Sequence, residues 1–156
     1  MKSKYISLKP LLALQQAQRP VDWSGQFGRN GPLEVEIGSG LGEFLIQSAR
    51  DCPEKDFIGI EYDQKRVQKI LRGVAQAKLD KIRLLFLDAR VVFERLFRPL
   101  TVRQVYCLFP CPWPKRRHIK HRLFSGDFLK LVNSRLVDSG EFLMVTDFRP
   151  YVDWVL

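Results

Sequence analysis

The sequence predicts an α/β domain built on a parallel β-sheet with helices on both faces. Apolar runs of strand length alternate five times with segments whose apolar residues recur every three or four positions. This alternation is typical of parallel sheets, in which helical crossovers join successive strands. The length of 156 residues fits one domain of this kind.

The order of the elements follows from these runs. The strands are predicted at residues 33–38, 56–62, 81–88, 104–110 and 140–147. The helices are predicted at residues 42–51, 64–78, 89–97 and 122–136, and residues 153–156 belong to a further helix. Residues 1–32 are polar, basic and punctuated by proline, so they are predicted to form an N-terminal arm before a domain at 33–156.

Polar side chains mark the ends of these strands. Strand one runs through Glu36 into a glycine-rich turn, and the next four strands end at or near Glu61, Asp88, Cys111 and Asp147. Ligands of parallel α/β sheets bind beyond the carboxyl ends of the strands. Four carboxylates and one thiol are therefore expected to share the ligand-binding edge.

The turn after strand one reads EIGSGLG at residues 36–42. Gly38, Gly40 and Gly42 let the backbone turn tightly and bring its amides close to a ligand at the start of a helix. Glu61, about twenty residues further on, is placed to accept hydrogen bonds from the two hydroxyls of a ribose. Together these features predict a cofactor that contains a nucleoside.

S-adenosylmethionine suits this edge better than a nicotinamide dinucleotide. Glu43 stands where a dinucleotide fingerprint has its third glycine, which disfavours NAD. S-adenosylmethionine has no phosphate to cradle, and its ammonium and sulfonium groups would be attracted by an acidic edge. Glu36 near the turn and Asp88 near the adenine support this choice.

A proline-stiffened corner, PCPWP at residues 110–114, follows strand four. Its three prolines restrict the backbone and hold Cys111 and Trp113 in place. Trp113 either offers a flat face on which a base can stack or fills the core at the end of the strand. Cys111 has three interpretations: a small apolar side chain, the covalent nucleophile of cytosine C5 methylation, or an occupant of a position that another residue type normally fills.

A basic strip at residues 115–122 comes directly after this corner. It holds Lys115, Arg116, Arg117, Lys120 and Arg122, together with both histidines of the chain, His118 and His121. The net charge is +9, and without these five positive charges it would be +4. Such concentration predicts a polyanionic partner, with nucleic acid ahead of an anionic membrane surface. Phosphate contacts would position an RNA, while its shape and a splayed-out base would determine recognition.

Other features bear on compartment and metals. The N-terminal residues lack an apolar run of signal-peptide length, and no segment approaches the roughly 18 apolar residues that span a bilayer. A cytoplasmic protein without membrane association is expected. Cys52, Cys107 and Cys111 form no CxxC pair, which predicts reduced thiols and no metal site.

From about residue 27 to residue 156 the chain resembles the bacterial tRNA (guanine-N7)-methyltransferase family, whose fold is the class I, Rossmann-like methyltransferase fold. The resemblance is carried by EIGSGLG at 36–42, FIGIE at 57–61, DA at 88–89, FPCPWPK at 109–115, RHIK at 117–120 and TD at 146–147. The Pro-x-Pro-Trp-x-Lys and Arg-His-x-Lys patterns are the most specific of these.

The resemblance implies roles for individual residues. It implies S-adenosylmethionine as cofactor and tRNA as partner, with cofactor contacts from Glu36, Gly38, Gly40, Glu61, Asp88, Ala89 and the position of Cys111. It assigns the substrate to Lys115 and Asp147, and the tRNA to Arg117, His118, Lys120, His121 and Arg122. The family has an aspartate, considered catalytic, where this chain has Cys111, and usually an arginine where it has His121.

The cysteine at position 111 predicts a weakened reaction. Guanine N7 carries a lone pair and no proton, so the site must supply orientation and electrostatic compensation instead of a base. A neutral thiol supplies less of both than a carboxylate. Activity is expected to be reduced or absent while cofactor and RNA binding survive. The alternatives are an RNA cytosine C5-methyltransferase that uses Cys111 and an RNA-binding module without catalysis.

The last strand raises a separate expectation. A class I methyltransferase normally continues through two more strands, and the resemblance implies a later Thr-and-Glu motif that this sequence lacks. Residues 142–145 would then form an exposed apolar edge. Either the sequence is a fragment of a longer protein, which is the favoured expectation, or a partner covers this edge.

Overall fold

The computed structural model describes residues 10–12 and 20–156 and shows a six-stranded, fully parallel sheet. Its strands are β1 (Leu11–Leu12), β2 (Leu33–Ile37), β3 (Asp56–Ile60), β4 (Ile82–Leu85), β5 (Val102–Leu108) and β6 (Leu136–Val145). They lie in the order β1-β4-β3-β2-β5-β6. The predicted parallel α/β class is confirmed, and β1 is an addition within the segment predicted as an arm.

Helices cover both faces of the sheet. They are α1 (Trp23–Phe27), α2 (Glu43–Asp51), α3 (Gln64–Ala77), α4 (Ala89–Arg95), α5 (Gly126–Arg135) and α6 (Arg149–Val155), with a 3₁₀ helix at Arg116–His121. Helices α2 and α3 pack on one face, whereas α4, α5 and α6 contribute to the core of the other. Every residue of β2, β3 and β4 is buried, as expected for central parallel strands covered twice.

The residues just before β2 contribute to this core. Trp23 of α1 is buried, and its ring centroid lies 5.3 Å from that of Phe97. Asp22 caps α1 by accepting a hydrogen bond from Gly25 N. Part of the segment from residue 20 to residue 32 is therefore integral to the packed domain.

The two predicted element boundaries that differ most from the structure are each off by four residues. The helix predicted at 122–136 begins only at Gly126, because the Ser125 side chain caps it by accepting a hydrogen bond from Phe128 N. Strand β6 then starts directly at Leu136, before the predicted residue 140. Its pairing with β5 is irregular between Leu136 and Glu141, so the extra residues form a bulge that sequence periodicity did not indicate.

Strand β6 occupies one outer position of the sheet. Its Leu143 and Val145 side chains are exposed, whereas Phe142 and Met144 pack partly against the core. The apolar edge predicted at residues 142–145 is therefore present in the described structure. No helix in the described ranges is long and apolar enough to cross a bilayer.

Candidate functional site

A cleft of about 330 Å³ lies beyond the carboxyl ends of the central strands. Its walls include six of the predicted site residues, namely Gly38, Glu61, Asp88, Ala89, Cys111 and His121, and also Trp113. The expectation that polar strand ends meet at one edge therefore holds for residues from β2, β3, β4 and β5. The glycine turn, Glu61, Asp88 and the proline corner share a single cavity.

The glycine turn has the backbone conformation that its sequence predicts. Gly38, Gly40 and Gly42 all have left-handed φ angles, of 74°, 56° and 81°. A Cβ on Gly38 would meet nothing within 4 Å, so open space remains beside this part of the turn. A Cβ on Gly42 would lie 2.9 Å from Ile70 Cγ1 of α3. Glycine therefore leaves room for a ligand at position 38 and permits close helix packing at position 42.

Glu61 connects β3 to that turn. Its carboxylate is buried, and Oε2 accepts a hydrogen bond from Gly40 N at 2.9 Å. Oε1 accepts from Tyr62 N at 2.9 Å and from Asp63 N at 3.0 Å. A carboxylate has about four acceptor sites. Glu61 therefore holds the turn in position and keeps acceptor capacity for a ligand.

Glu36 lies within β2, below the cleft, and does not line it. Its side chain is 5% exposed, and Oε2 has no hydrogen-bond partner among the described groups. Burial raises the pKa of Glu36 to about 7; the hydrogen bond from Ser39 opposes this increase, and the negative charge of Glu61 adds to it. A buried carboxylate without a partner fits a cationic ligand group.

The pKa of Glu36 predicts a stability that falls with pH. Folding raises this pKa from 4.5 to about 7, so the contribution of Glu36 is fully present below pH 4.5 and is lost as pH rises through 7. The loss amounts to about 3 kcal/mol. Glu36→Gln should abolish this pH dependence in denaturant titrations between pH 5 and pH 8, whereas exposed Glu94→Gln should retain it. If the free energy of unfolding fell equally with pH in Glu36→Gln and in the wild type, this account would be contradicted.

Asp88 and Ala89 form the part of the cleft beyond β4. Asp88 caps α4, because its Oδ1 accepts a hydrogen bond from Arg90 N at 2.7 Å, and its carboxylate remains exposed. The Arg90 guanidinium lies 3.7 Å from Oδ2. Ala89 is buried against the same wall. A small residue here leaves space for a flat ring, and Asp88 offers acceptors at its rim.

The proline corner presents two aromatic rings around an exposed thiol. Phe109 and Trp113 both line the cleft, and both have left-handed φ angles, of 52° and 44°. Such conformations are unfavourable for residues with side chains and cluster at functional sites. The Trp113 ring lies 5.1 Å from that of His121 and 5.7 Å from that of His118. Cys111 is exposed between the two strained positions.

The basic strip divides into exposed and buried members. Lys115, Arg117 and Lys120 are exposed outside the cleft, and His118 is half-buried against Trp113. Arg122, which was predicted to contact RNA, is only 5% exposed.

Arg122 makes buried contacts within the protein, so the predicted role of this residue in contacting RNA is wrong. Its Nε donates to Pro112 O at 2.9 Å, and its guanidinium lies over the rings of Tyr151 and Trp154, at 5.0 and 5.4 Å. These contacts fix the proline corner against α6. Sequence reasoning missed this because charge alone does not show which member of a basic run turns inward.

Several residues that line the cleft were not predicted as site residues, and three of them matter for its chemistry. Arg66, Cys107 and Tyr151 line it, and Arg66 Nη1 lies 3.8 Å from Glu61 Oε2. Tyr151 is fully buried, and its hydroxyl has no partner in the described structure. Burial, with a smaller effect of Glu36, raises the pKa of the Cys107 thiol to about 12, so this thiol stays protonated. A usable signal existed for Arg66 and Tyr151, since each lies one helical turn beyond a polar strand end.

The predicted substrate residues Lys115 and Asp147 do not line the cleft. Both are exposed; Lys115 immediately precedes the 3₁₀ helix, and Asp147 follows β6. Within the described residues, no group of three or more His, Cys, Asp or Glu side chains is arranged to hold a metal ion.

Comparison with known proteins identifies relatives of this chain. Residues 30–156 match the family described as "Putative methyltransferase". A tRNA (guanine-N(7)-)-methyltransferase of Chlorobium phaeobacteroides is 45% identical over 126 residues, which cover 81% of this chain and 62% of the relative. The protein of the same name from Nitrosomonas europaea is 37% identical over 152 residues, covering 97% of this chain and 68% of the relative. The chain thus spans roughly two thirds of the length of these relatives.

Solved structures show the same fold at lower identity. TrmN from Thermus thermophilus superposes with a TM-score of 0.65 at 21% identity, covering 92% of this chain and 39% of that one. Precorrin-6y C5,15-methyltransferase from Geobacter metallireducens gives a TM-score of 0.61 at 14% identity, covering 80% and 59%. The fold is that of class I methyltransferases, and the chain belongs to the tRNA (guanine-N7)-methyltransferase family.

Proposed function

We propose that this protein transfers a methyl group from S-adenosylmethionine to N7 of a guanosine in tRNA, in the cytoplasm. The observation that carries the proposal is one cleft that joins the Glu61-bound glycine turn to the strained corner around Cys111. The names of the relatives from Chlorobium phaeobacteroides and Nitrosomonas europaea support the same reaction.

The residues of the cleft suit S-adenosylmethionine, which supplies an activated methyl group on a sulfonium. The unpartnered carboxylate of Glu36 would attract a cationic part of the donor, and Glu61, with three of its acceptor sites already used, would accept a hydrogen bond from its ribose. Gly38 leaves open space beside the turn, so the ligand can approach the backbone. Asp88 and Ala89 would form the wall of the cleft next to the adenine. Each contact uses a group that lies in or directly below the cleft.

The other end of the cleft would receive the guanosine. Its N7 attacks through an in-plane lone pair, so no residue has to remove a proton from that atom. Trp113 would stack the base, while Lys115 and Asp147 would hold it from outside the cleft. Exposed Arg117 and Lys120, with the neighbouring histidines, would position the tRNA through its phosphates. Cys111 would face the purine where it gains positive charge.

Nucleoside analysis tests this proposal. The protein is incubated with bulk tRNA and isotopically labelled S-adenosylmethionine, and the digested tRNA is separated into nucleosides. Label in 7-methylguanosine is the expected result. Label in 5-methylcytidine would instead support the covalent use of Cys111, whose exposed thiol makes that chemistry sterically possible. Tight tRNA binding without any labelled nucleoside would indicate a binding module without catalysis.

Trp113 should contribute through stacking. Trp113→Ala should lower kcat/KM for tRNA by about 10- to 100-fold, because base stacking on an aromatic ring is worth about 1 to 3 kcal/mol. Trp113→Phe keeps a ring and should recover most of this loss. Donor affinity, measured by calorimetry, should change little in either variant. If alanine and phenylalanine lowered kcat/KM equally, the ring at position 113 would not be a stacking surface.

A further inference from the structure

Helix α3 carries a second basic surface that the cleft does not explain. It contains Lys65, Arg66, Lys69 and Arg72, and its fourteen residues include no aspartate or glutamate. Lys65, Lys69 and Arg72 stand at positions i, i+4 and i+7, so they form one stripe along the helix. All three are exposed. At 1.5 Å per residue the stripe is about 10 Å long.

The stripe lies opposite the apolar face of α3. Val67, Ile70, Leu71 and Val74 are all buried against the sheet and α2. The helix therefore has no apolar surface left to insert into a lipid bilayer, as a membrane-binding amphipathic helix would. The stripe can therefore attract a partner only through its positive charges. Such a surface favours a polymer of phosphates as the partner.

The charges of the stripe oppose helix stability. Like charges at spacings of three and four residues repel each other, and Lys65 lies in the first turn, where the helix dipole disfavours a cation. In the described structure, none of Lys65, Lys69 and Arg72 makes an ion pair. Residues 1–9 and 13–19, which lie outside that structure, contain no carboxylate side chain. An external polyanion would relieve this repulsion.

The stripe starts at the mouth of the cleft. Arg66, next to Lys65, lines the cleft and approaches Glu61. Helix α3 follows β3, whereas the basic strip at 115–122 follows β5, and β2 lies between these two strands. The two basic surfaces thus flank the cleft along the sheet.

We propose that Lys65, Lys69 and Arg72 form a second RNA-contact surface, which binds tRNA phosphates on the side of the cleft away from the 115–122 strip. The inference rests on the proposed function, because it takes tRNA as the partner that spans the cleft. These residues position the RNA and take no part in methyl transfer. Their contribution is electrostatic and independent of nucleotide sequence.

The test compares two variants with equal loss of charge. The first is Lys65→Gln/Lys69→Gln/Arg72→Gln. The second is Arg50→Gln/Arg95→Gln/Arg98→Gln, which removes exposed arginines in or after the last turns of α2 and α4, away from the cleft. Binding of bulk tRNA is measured by fluorescence anisotropy from 50 to 300 mM NaCl. Thermal melting verifies folding, and the α3 variant should melt at or above the wild-type temperature because repulsion is removed.

The α3 variant should bind tRNA at least tenfold more weakly at 100 mM NaCl. The slope of log K against log salt should become shallower by about 2 to 3, close to one per lost phosphate contact. The control variant should keep the wild-type slope. Equal changes in both variants would overturn the proposal, because tRNA affinity would then depend only on net charge. Unchanged tRNA binding by the α3 variant would also overturn it.

A second measurement distinguishes RNA binding by the stripe from membrane binding, and the α3 contact from the methylation reaction. Sedimentation with vesicles of anionic and zwitterionic phospholipid should show no loss specific to the α3 variant; such a loss with tRNA binding intact would overturn the RNA assignment. Absence of tRNA binding by the wild type would contradict the proposed function as well. If the α3 variant binds tRNA more weakly than the wild type and the control variant, but no 7-methylguanosine forms, the α3 contact is supported and the methylation is contradicted.

Discussion

Cys111→Asp should increase the rate of guanine N7 methylation by about 10²-fold, the range over which a single preorganised electrostatic contact acts in active sites. Position 111 is exposed at the cleft, so a carboxylate can be introduced there without a large desolvation cost. The measurement is the single-turnover rate of 7-methylguanosine formation at saturating donor.

The physical reason lies in the charge that moves during the reaction. The methyl group carries positive charge from the donor sulfonium to the purine, and a carboxylate beside the purine stabilises that charge as it develops. A neutral thiol provides no such compensation. Pro110 and Pro112 restrict the backbone on both sides of position 111, so a new side chain inherits a preorganised location.

Cys111→Asn is the matched control. Asparagine has nearly the size of aspartate and can orient a purine edge by hydrogen bonding, but it carries no charge. The electrostatic account requires the aspartate variant to exceed the asparagine variant clearly. Equal rates for the cysteine, asparagine and aspartate proteins would show that position 111 does not face the reacting purine.

Much of the site could be predicted because strand ends and turns are local features. The glycine turn, Glu61, Asp88 and the proline corner each follow a run that reads as a strand, and parallel topology alone brings them to one edge. The same reasoning placed Glu36 at that edge but did not predict that it is buried below the cleft. Its burial, and the raised pKa that burial causes against the opposing hydrogen bond from Ser39, depend on packing between strands, which no local pattern reveals.

What the sequence could not show is the direction in which side chains turn. Arg122 reads as one more member of a basic run, yet its guanidinium lies between Pro112 and the rings of α6. The bulge in β6 had no signal in the apolar pattern either, because the extra residues interrupt pairing instead of periodicity. Tertiary packing decides both.

Glu61→Gln should lower the affinity for S-adenosylmethionine by at least 100-fold and reduce the free energy of unfolding by about 2 to 4 kcal/mol. The carboxylate accepts three backbone N–H groups, from Gly40, Tyr62 and Asp63. An amide of the same shape must turn its NH₂ group toward at least one of these donors. Either the glycine turn would then lose the hydrogen bond from Gly40 N that attaches it to β3, or the segment after β3 would lose a hydrogen bond from Tyr62 N or Asp63 N.

Both effects should be measured separately, since the second could conceal the first. Unfolding is followed by denaturant titration, and donor affinity is measured by calorimetry well below the melting temperature. Glu94→Gln, on the exposed face of α4, removes the same charge away from the cleft and should leave both quantities unchanged. Normal donor affinity in Glu61→Gln would show that the buried carboxylate serves only to tie the turn to the sheet, and the ribose would then have to bind elsewhere in the cleft.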